Sequence, residues 1–198
     1  MRISGVLLAA GKSERMGKNK LLLRFGNHTV IEESLLQLAE SGLDEVIVVT
    51  GFQMERLKSL IENKSWSNVR IVSNENYNKG RAESIKCALG NIDKRSEAVL
   101  FMVADKPSVK SSLIRKALSE FKSEAPLILY VQTPAGRGHP VIFSKALFGD
   151  LMGLGGEPTG NAIFEKYRDD TVVIEDENPQ FDIDTLEDYD NILKETAK

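Results

Sequence analysis

The sequence predicts an α/β fold with a doubly wound, mostly parallel sheet. Short apolar, β-branched segments alternate with segments of helical period as far as about residue 121, an order that builds right-handed βαβ units. Residues 98–103 are apolar at every position, as expected of a central strand covered on both faces. No internal repeat, low-complexity tract or linker-like stretch divides the chain, so we expect a single domain over residues 1–198.

The first part of the chain has the clearest elements. Apolar runs that end at turn-forming residues predict strands, and apolar positions three and four apart predict helices. Thr29 and Ser108 are candidate N-caps, and Gly42 marks the expected end of the first helix. The predicted elements are, in order, a strand at 3–10, a helix at 29–41, a strand at 45–49, a helix at 53–62, a strand at 69–72, a helix at 80–89, a strand at 98–103 and a helix from about 108.

The alternation is looser in the second part of the chain. A glycine-rich stretch, Gly-Arg-Gly-His-Pro at 136–140, is expected to be a loop between two strands. A second Gly/Pro-rich stretch at 153–160 is expected to separate two short helices. The predicted elements here are strands at 127–131 and 141–143, helices at 145–152 and 161–167, a strand at 171–174 and a final helix from 186 to about 195.

The composition excludes several classes of protein. The chain of 198 residues is 41% apolar and 28% charged, which is ordinary for a globular protein. Its net charge of −3 argues against general nucleic-acid binding, because phosphate neutralisation needs a basic excess. The apolar runs are far shorter than the roughly 20 residues of a membrane helix. With one cysteine, Cys87, and no internal disulfide, we expect a cytoplasmic location.

The loop after the first strand is the main functional feature. An apolar run ends at Ala9-Ala10-Gly11, and a loop with two glycines and four cations follows. Backbone amides and positive charge at the end of a strand suit a polyphosphate. The loop lacks Gly-x-Gly-x-x-Gly, and five residues separate Gly11 from Gly17, so neither a Rossmann fingerprint nor a P-loop is present. The four cations are Lys12, Arg15, Lys18 and Lys20.

Residues 8–20 read Leu-Ala-Ala-Gly-x-Ser-x-Arg-Met-Gly-x-x-Lys, a pattern that resembles the signature of molybdenum-cofactor nucleotidyltransferases. The resemblance implies a three-layer α/β/α sandwich with a Rossmann-like nucleotidyltransferase fold. Arg15 would present a planar fork to phosphate oxygens, and Lys20 would stabilise charge developing between the α-phosphate and pyrophosphate. The nucleotide-binding residues expected in this loop are Leu8, Ala9, Ala10, Gly11, Ser13, Arg15 and Lys20.

Acidic residues at two places predict a metal site. Asp105 follows the most apolar strand and so lies at the carboxyl edge of the sheet, where α/β proteins bind ligands. Asp182 and Asp184 are two positions apart, which places both on one side of an extended segment. Asp105 with one or both of these acids can hold Mg²⁺ against a triphosphate; we prefer Asp184 to Asp182. Asp105 therefore joins Arg15 and Lys20 as a predicted catalytic residue, and helix capping remains the alternative role for the acids.

A further segment resembles an element of the same family's cytidylyltransferases. It reads Asn-x-x-Tyr-x-x-Gly-x-x-x-Ser at 74–84. The resemblance implies that Gly80 and Ser84 contact the nucleotide at the start of a helix. A loop followed by a capped helix would explain Gly80 without any ligand.

The acceptor side resembles the family less closely. Gly-His-Pro-Val at 138–141 is similar to a family segment that faces the acceptor, which implies acceptor contacts from Gly138 and His139. Packing and hydrogen bonding are the alternative for His139. Residues 156–161 depart from a Gly-Asp-x-Gly-Ala-Arg-like element of the family, and Lys106 is also unusual within its Ala-Asp-Lys-Pro context.

The resemblance implies transfer of CMP from CTP to the terminal phosphate of molybdopterin or the molybdenum cofactor, with Mg²⁺ and release of pyrophosphate. Ala9-Ala10-Gly11 favours cytidine, because the resemblance associates Ala-Gly-Gly with guanosine. The acceptor phosphate is already ionised, so no covalent nucleophile or general base is needed. Two alternatives remain: another NTP-dependent nucleotidyltransferase, including a guanylyltransferase, or a non-catalytic protein that hands cofactor to a molybdenum hydroxylase, itself an expected transient partner.

Overall fold

A computed structural model describes residues 1–155 and 159–196 of the chain. Its strands are β1 (Ile3–Ala9), β2 (Arg24–Phe25), β3 (His28–Thr29), β4 (Glu45–Thr50), β5 (Val69–Ser73), β6 (Ala98–Val103), β7 (Ile128–Thr133), β8 (Gly136–Ser144) and β9 (Thr171–Glu175). Its α-helices are α1 (Val30–Ala39), α2 (Met54–Glu62), α3 (Arg81–Leu89), α4 (Ser111–Glu124), α5 (Phe148–Met152), α6 (Thr159–Lys166) and α7 (Leu186–Thr196).

Seven of the strands in the described residues form one sheet in the order β5-β4-β1-β6-β8-β7-β9. All neighbours pair in parallel except β8, which is antiparallel to both β6 and β7. The chain leaves β1 toward β4 and β5, then returns to place β6 on the other side of β1. The carboxyl ends of β1 and β6 therefore lie side by side at a topological switch point, the usual ligand site of such sheets.

The two faces of the sheet carry separate apolar cores. In β1, Ile3 and Leu7 belong to one core and Val6 to the other, as the alternation of side chains along a strand requires. Helices α1, α2, α4 and α7 contribute to the first core, and α3, α5 and α6 to the second. This arrangement confirms the predicted α/β/α sandwich.

A local sequence signal explains the start of α1 but not that of α4. Thr29 caps α1 through a capping box, in which its hydroxyl accepts from the amide of Glu32 and the Glu32 carboxylate accepts from the amide of Thr29; this box satisfies donors that the helix leaves unpaired. Ser108 does not cap α4, which begins at Ser111 after Lys110. That prediction was wrong, because residues 109 and 110 separate Ser108 from the first residue of the helix.

The region after β7 differs most from the prediction. The stretch 136–140 is not a loop but the first half of β8, which pairs directly with β7 through a two-residue turn. Gly156, Glu157 and Pro158 of the unusual 156–161 stretch lie outside the described residues, while Asn161 lies in α6. No helix in the described ranges has the length and apolarity needed to span a membrane.

Candidate functional site

A cluster of four charged side chains lies at the switch point. The ammonium nitrogen Nζ of Lys20 is 2.6 Å from Oδ2 of Asp105 and 3.0 Å from Oδ1 of Asp184. Nη1 of Arg15 is 2.9 Å from Oδ2 of Asp184. Three segments far apart in the chain, the loop after β1, the end of β6 and the approach to α7, thus meet at one lysine.

Lys20 is the best buried member of this cluster, with its side chain 13% exposed. Burial by itself lowers the pKa of Lys20, but the carboxylates of Asp105 and Asp184 outweigh it and raise the pKa above the ordinary value. The lysine therefore stays charged at neutral pH. Together with Arg15 it balances the charge of the two carboxylates, and such pairing is what a buried ion needs.

A cleft opens directly onto this cluster. One part, of about 410 Å³, is lined by the loop after β1, by Lys20, Asp105 and Asp184, and by Tyr77 and Gly80. A second part, of about 280 Å³, shares Gly11, Tyr77, Gly80 and Asp105 with the first. The remaining residues of this second part are Leu8, Ala10, Arg81, Ser84 and Val103.

The second part of the cleft is lined by residues at the end of β1 and at the start of α3. Gly80 precedes α3 with φ +110°, a backbone conformation that favours glycine. The side-chain amide Nδ2 of Asn74 donates to the hydroxyl of Ser84 at 3.0 Å. Gly51 lets Tyr77 and Ala10 approach closely, because a Cβ at Gly51 would lie 2.6 Å from Cβ of Tyr77.

Most residues predicted to bind nucleotide line this cleft: Leu8, Ala10, Gly11, Ser13, Arg15, Lys20, Gly80 and Ser84. Ala9 does not, since it is 1% exposed and its side chain packs in the core that also contains Leu7. The strand period explains the difference, because Ala9 shares a face with Leu7 rather than with Leu8. The Ala9 side chain therefore faces the core, while contact of its backbone with a nucleotide stays a prediction.

Asp182 and Asp184 differ in the cations that their carboxylates contact. Its Oδ2 accepts from Nζ of Lys106 at 3.1 Å, and it is not among the residues that line the cleft. The structure thus brings Asp184, and not Asp182, together with Asp105. This arrangement agrees with the preference for Asp184 drawn from the sequence, but the contact that distinguishes the two acids could not be predicted because Lys106 is 76 positions from Asp182.

Gly138 and His139 lie in β8 beside the end of β6, outside the cleft lining. Nδ1 of His139 donates to the carbonyl of Phe101 at 3.3 Å. The His139 backbone exchanges two hydrogen bonds with the side-chain amide of Gln180, at 2.7 and 2.6 Å. In this structure His139 packs and hydrogen-bonds, the alternative that the sequence left open.

Burial is the main reason why the pKa of His139 is lowered to about 4. The positive charge of Lys106 acts in the same direction, as does Arg81 more weakly. The hydrogen bond to Phe101 and the charge of Asp105 oppose the shift. The imidazole is therefore neutral at pH 7 and is not an acid or base poised for catalysis near that pH.

Asp105 and Asp184 suit a magnesium ion whose coordination is completed by a bound substrate. Within residues 1–155 and 159–196 no group of three or more His, Cys, Asp or Glu side chains could hold a metal. Asp105 and Asp184 nevertheless contact the same Lys20 nitrogen. Mg²⁺ is commonly held by one or two carboxylates together with substrate phosphates, not by an all-protein cage. Two carboxylates beside a cleft suit that kind of site.

A family model described as the MobA-like NTP transferase domain matches residues 5–172. The chain is 30% identical over 143 residues to the molybdenum cofactor cytidylyltransferase of Escherichia coli, covering 72% of this chain and 70% of that protein. It is 24% identical over 200 residues to the nicotine blue oxidoreductase of Paenarthrobacter nicotinovorans, covering 96% of each.

The fold is also similar to that of a solved protein. Rv0371c from Mycobacterium tuberculosis superimposes with a TM-score of 0.87 at 27% identity, covering 98% of both chains. A structure of Rv0371c in complex with manganese gives a TM-score of 0.80 at 25% identity and covers 98% of this chain and 99% of that one.

Proposed function

Because the chain belongs to the MobA-like NTP transferase family, we propose that it transfers CMP from CTP to the terminal phosphate of molybdopterin or the molybdenum cofactor. The observation that carries this proposal is the Asp105–Lys20–Asp184 cluster at the mouth of a cleft lined by the loop after β1. The name of the E. coli relative, at 30% identity, supports the choice of base and acceptor.

The reaction is an in-line displacement. An oxygen of the acceptor phosphate attacks the α-phosphorus of CTP, the bond from that phosphorus to the bridging oxygen breaks, and pyrophosphate leaves with both bonding electrons. No proton has to be removed from the nucleophile, since a phosphate monoester or diester is ionised at pH 7. The task of the protein is therefore to position two anionic substrates and stabilise charge.

In this proposal Arg15 and Lys20 bind the phosphates. The Arg15 side chain is 73% exposed and pairs with Asp184 through Nη1, so the remaining N–H groups of its guanidinium can meet phosphate oxygens at the mouth of the cleft. The ammonium of Lys20 stabilises charge that develops on the leaving group. Asp105 and Asp184, which hold Lys20 in the ligand-free structure, would hold Mg²⁺ when nucleotide is bound. Bound Mg²⁺ would neutralise phosphate charge there.

The nucleoside is assigned to the smaller part of the cleft. Ala10, Gly11, Gly80 and Ser84 are among the residues that line it. A side chain at position 10 supports a pyrimidine over a larger purine. The acceptor is assigned to the β8 side, where Gly138 and His139 lie and His139 contacts the Phe101 carbonyl of β6. The proposal includes a cytoplasmic location and transient contact with a molybdenum hydroxylase.

Pyrophosphate release tests the proposal. The chain is incubated with Mg²⁺, molybdopterin and CTP, GTP, ATP or UTP in turn, and CTP should react fastest. Faster reaction with GTP would replace cytidylyl by guanylyl transfer. Tight binding of the pterin without turnover of any NTP would reject an enzymatic role and favour the accessory protein.

A matched pair of variants tests the site. Asp105→Asn keeps the shape of the side chain but removes its charge, and we expect kcat/KM to fall by about 100-fold or more. Asp150→Asn is the control, because Asp150 pairs with Lys166 and Tyr167 at the surface, away from the cleft. Equal activity of the two variants would show that Asp105 has no part in the reaction.

A further inference from the structure

Lys106 is a buried lysine that lies outside the cleft. The residue is 9% exposed and directly follows Asp105 in the chain. Its Nζ donates to the carbonyl of Gln180 at 2.9 Å and to Oδ2 of Asp182 at 3.1 Å. Because a buried ammonium is unfavourable unless it is paired, these two contacts fix the segment Gln180–Asp184 relative to the end of β6.

Gln180 ties the same segment to β8. Its Oε1 accepts from the amide of His139 at 2.7 Å, and its Nε2 donates to the carbonyl of His139 at 2.6 Å. Gln180 is 5% exposed. A Cβ at Gly138 would lie 2.7 Å from Oε1 of Gln180, so the glycine leaves the space that this side chain occupies.

The segment is held at a third point just before Asp184. The amide of Ile183 donates to the carbonyl of Asp105 at 3.3 Å, and the Ile183 side chain is fully buried. Asp184 is the next residue, so its carboxylate is presented toward Lys20 and Asp105 by a backbone that is fixed on both β6 and β8.

We propose that Lys106 and Gln180 are positioning residues, a clasp that holds Asp184 beside Asp105 and Lys20, where the two carboxylates would hold the metal. The proposal rests on the proposed function for its catalytic consequence. Neither residue touches the reacting groups; both act through the backbone of the segment Gln180–Asp184. Supporting contacts of this kind orient metal ligands, and their loss commonly weakens metal affinity by about 10- to 100-fold.

Two variants and a control test the clasp. Lys106→Met removes the ammonium and keeps an unbranched apolar side chain. Gln180→Glu keeps the size of the side chain but removes the donor to His139. Lys166→Met is the control, because Lys166 makes an exposed ion pair with Asp150. Having two variants keeps the test decisive where one of them fails to fold.

Hydrogen exchange of the ligand-free protein is the first measurement. Both clasp variants should exchange the amides of His139 and Ile183 at least about tenfold faster than the wild type, since opening of the segment frees those amides. The control should leave both rates unchanged. Unchanged exchange in the clasp variants would overturn the proposal, whatever the chain's activity.

Metal affinity is the second measurement. Direct Mn²⁺ binding in the presence of CTP, followed by electron paramagnetic resonance, should weaken by about tenfold in the clasp variants. The Mg²⁺ concentration for half-maximal pyrophosphate release should rise by the same factor, while kcat at saturating Mg²⁺ and KM for CTP stay within about threefold of the wild type. A loss of kcat at every metal concentration, with metal affinity unchanged, would show a merely structural role and overturn the proposal.

The two proposals fail differently. If the wild type releases no pyrophosphate with any NTP, the proposed transferase activity is wrong, yet exchange and direct Mn²⁺ binding still decide whether the clasp exists. If the wild type is active and the clasp variants bind Mn²⁺ as tightly as it does, only the clasp is wrong.

Discussion

His139→Asn should remove a large part of the acid sensitivity of the fold. The pKa of His139 is lowered to about 4 in the folded protein from 6.5, so between these two pH values the unfolded state binds more protons than the folded state. The free energy of unfolding therefore falls as the pH drops from 6.5 to 4. At about 1.4 kcal/mol for each pH unit, the contribution of His139 is on the order of 3 kcal/mol.

The surroundings of the ring explain this size. Protonation would place a charge in a partly buried position that also faces the cations of Lys106 and Arg81, with Asp105 as the opposing carboxylate. Asparagine is neutral at every pH and can donate to the Phe101 carbonyl in place of Nδ1.

Urea denaturation at several pH values between 4 and 7 measures the effect. The difference between wild type and His139→Asn should change by about 2–3 kcal/mol across this window, whereas other acid-sensitive groups contribute equally to both proteins. His28→Asn, which changes a partly exposed histidine beside Glu33, should keep the wild-type loss of stability. Parallel curves for wild type and His139→Asn would refute the attribution to this ring.

Three further predictions concern the site and the fold. Gly51→Ala should displace Tyr77, because the new Cβ would lie 2.6 Å from the Tyr77 Cβ. The free energy of unfolding, measured by urea denaturation, should fall by about 1–3 kcal/mol. Wild-type stability and wild-type nucleotide affinity would contradict this. Thr29→Ala removes the cap that accepts from the Glu32 amide and should lower the free energy of unfolding by about 1 kcal/mol; an unchanged urea midpoint would show that the cap is replaced. Lys20→Met should reduce kcat/KM for CTP by about 10²–10³, measured by pyrophosphate release, and a loss below tenfold would count against a role in charge stabilisation.

The sequence predicts elements well where local pattern decides them. The apolar run at 98–103 became the buried strand β6, and Thr29 became a cap, because burial period and capping chemistry are local properties. The strand period also pairs Ala9 with Leu7, a signal that its place in the loop signature, among the expected nucleotide-binding residues, had obscured. The glycines at 136–140 are typical of a loop and so led to a wrong prediction, whereas pairing with β7 makes the stretch part of a strand.

The sequence predicted which residues form the site, but not the contacts that hold them in place. The loop signature, the acid after β6 and the acids before α7 indicated Lys20, Asp105 and Asp184, which the structure brings together. Gln180 gave no signal, because an isolated glutamine fits any exposed loop. Lys106 stood out only as an unusual residue; its buried position depends on partners 74 and 76 positions away.

The reversed direction of β8 has a consequence for how this scaffold can diversify. In an all-parallel sheet every connection at the ligand edge leads into a helix, so its length is constrained by packing. Here β7 and β8 meet at that edge in a hairpin whose two turn residues, Pro134 and Ala135, are exposed. Lengthening a surface turn adds little closure entropy and moves no helix. Evolution or a protein engineer can therefore rebuild this end of the molecule, to which we assign the acceptor, while the cleft beside β1 stays intact.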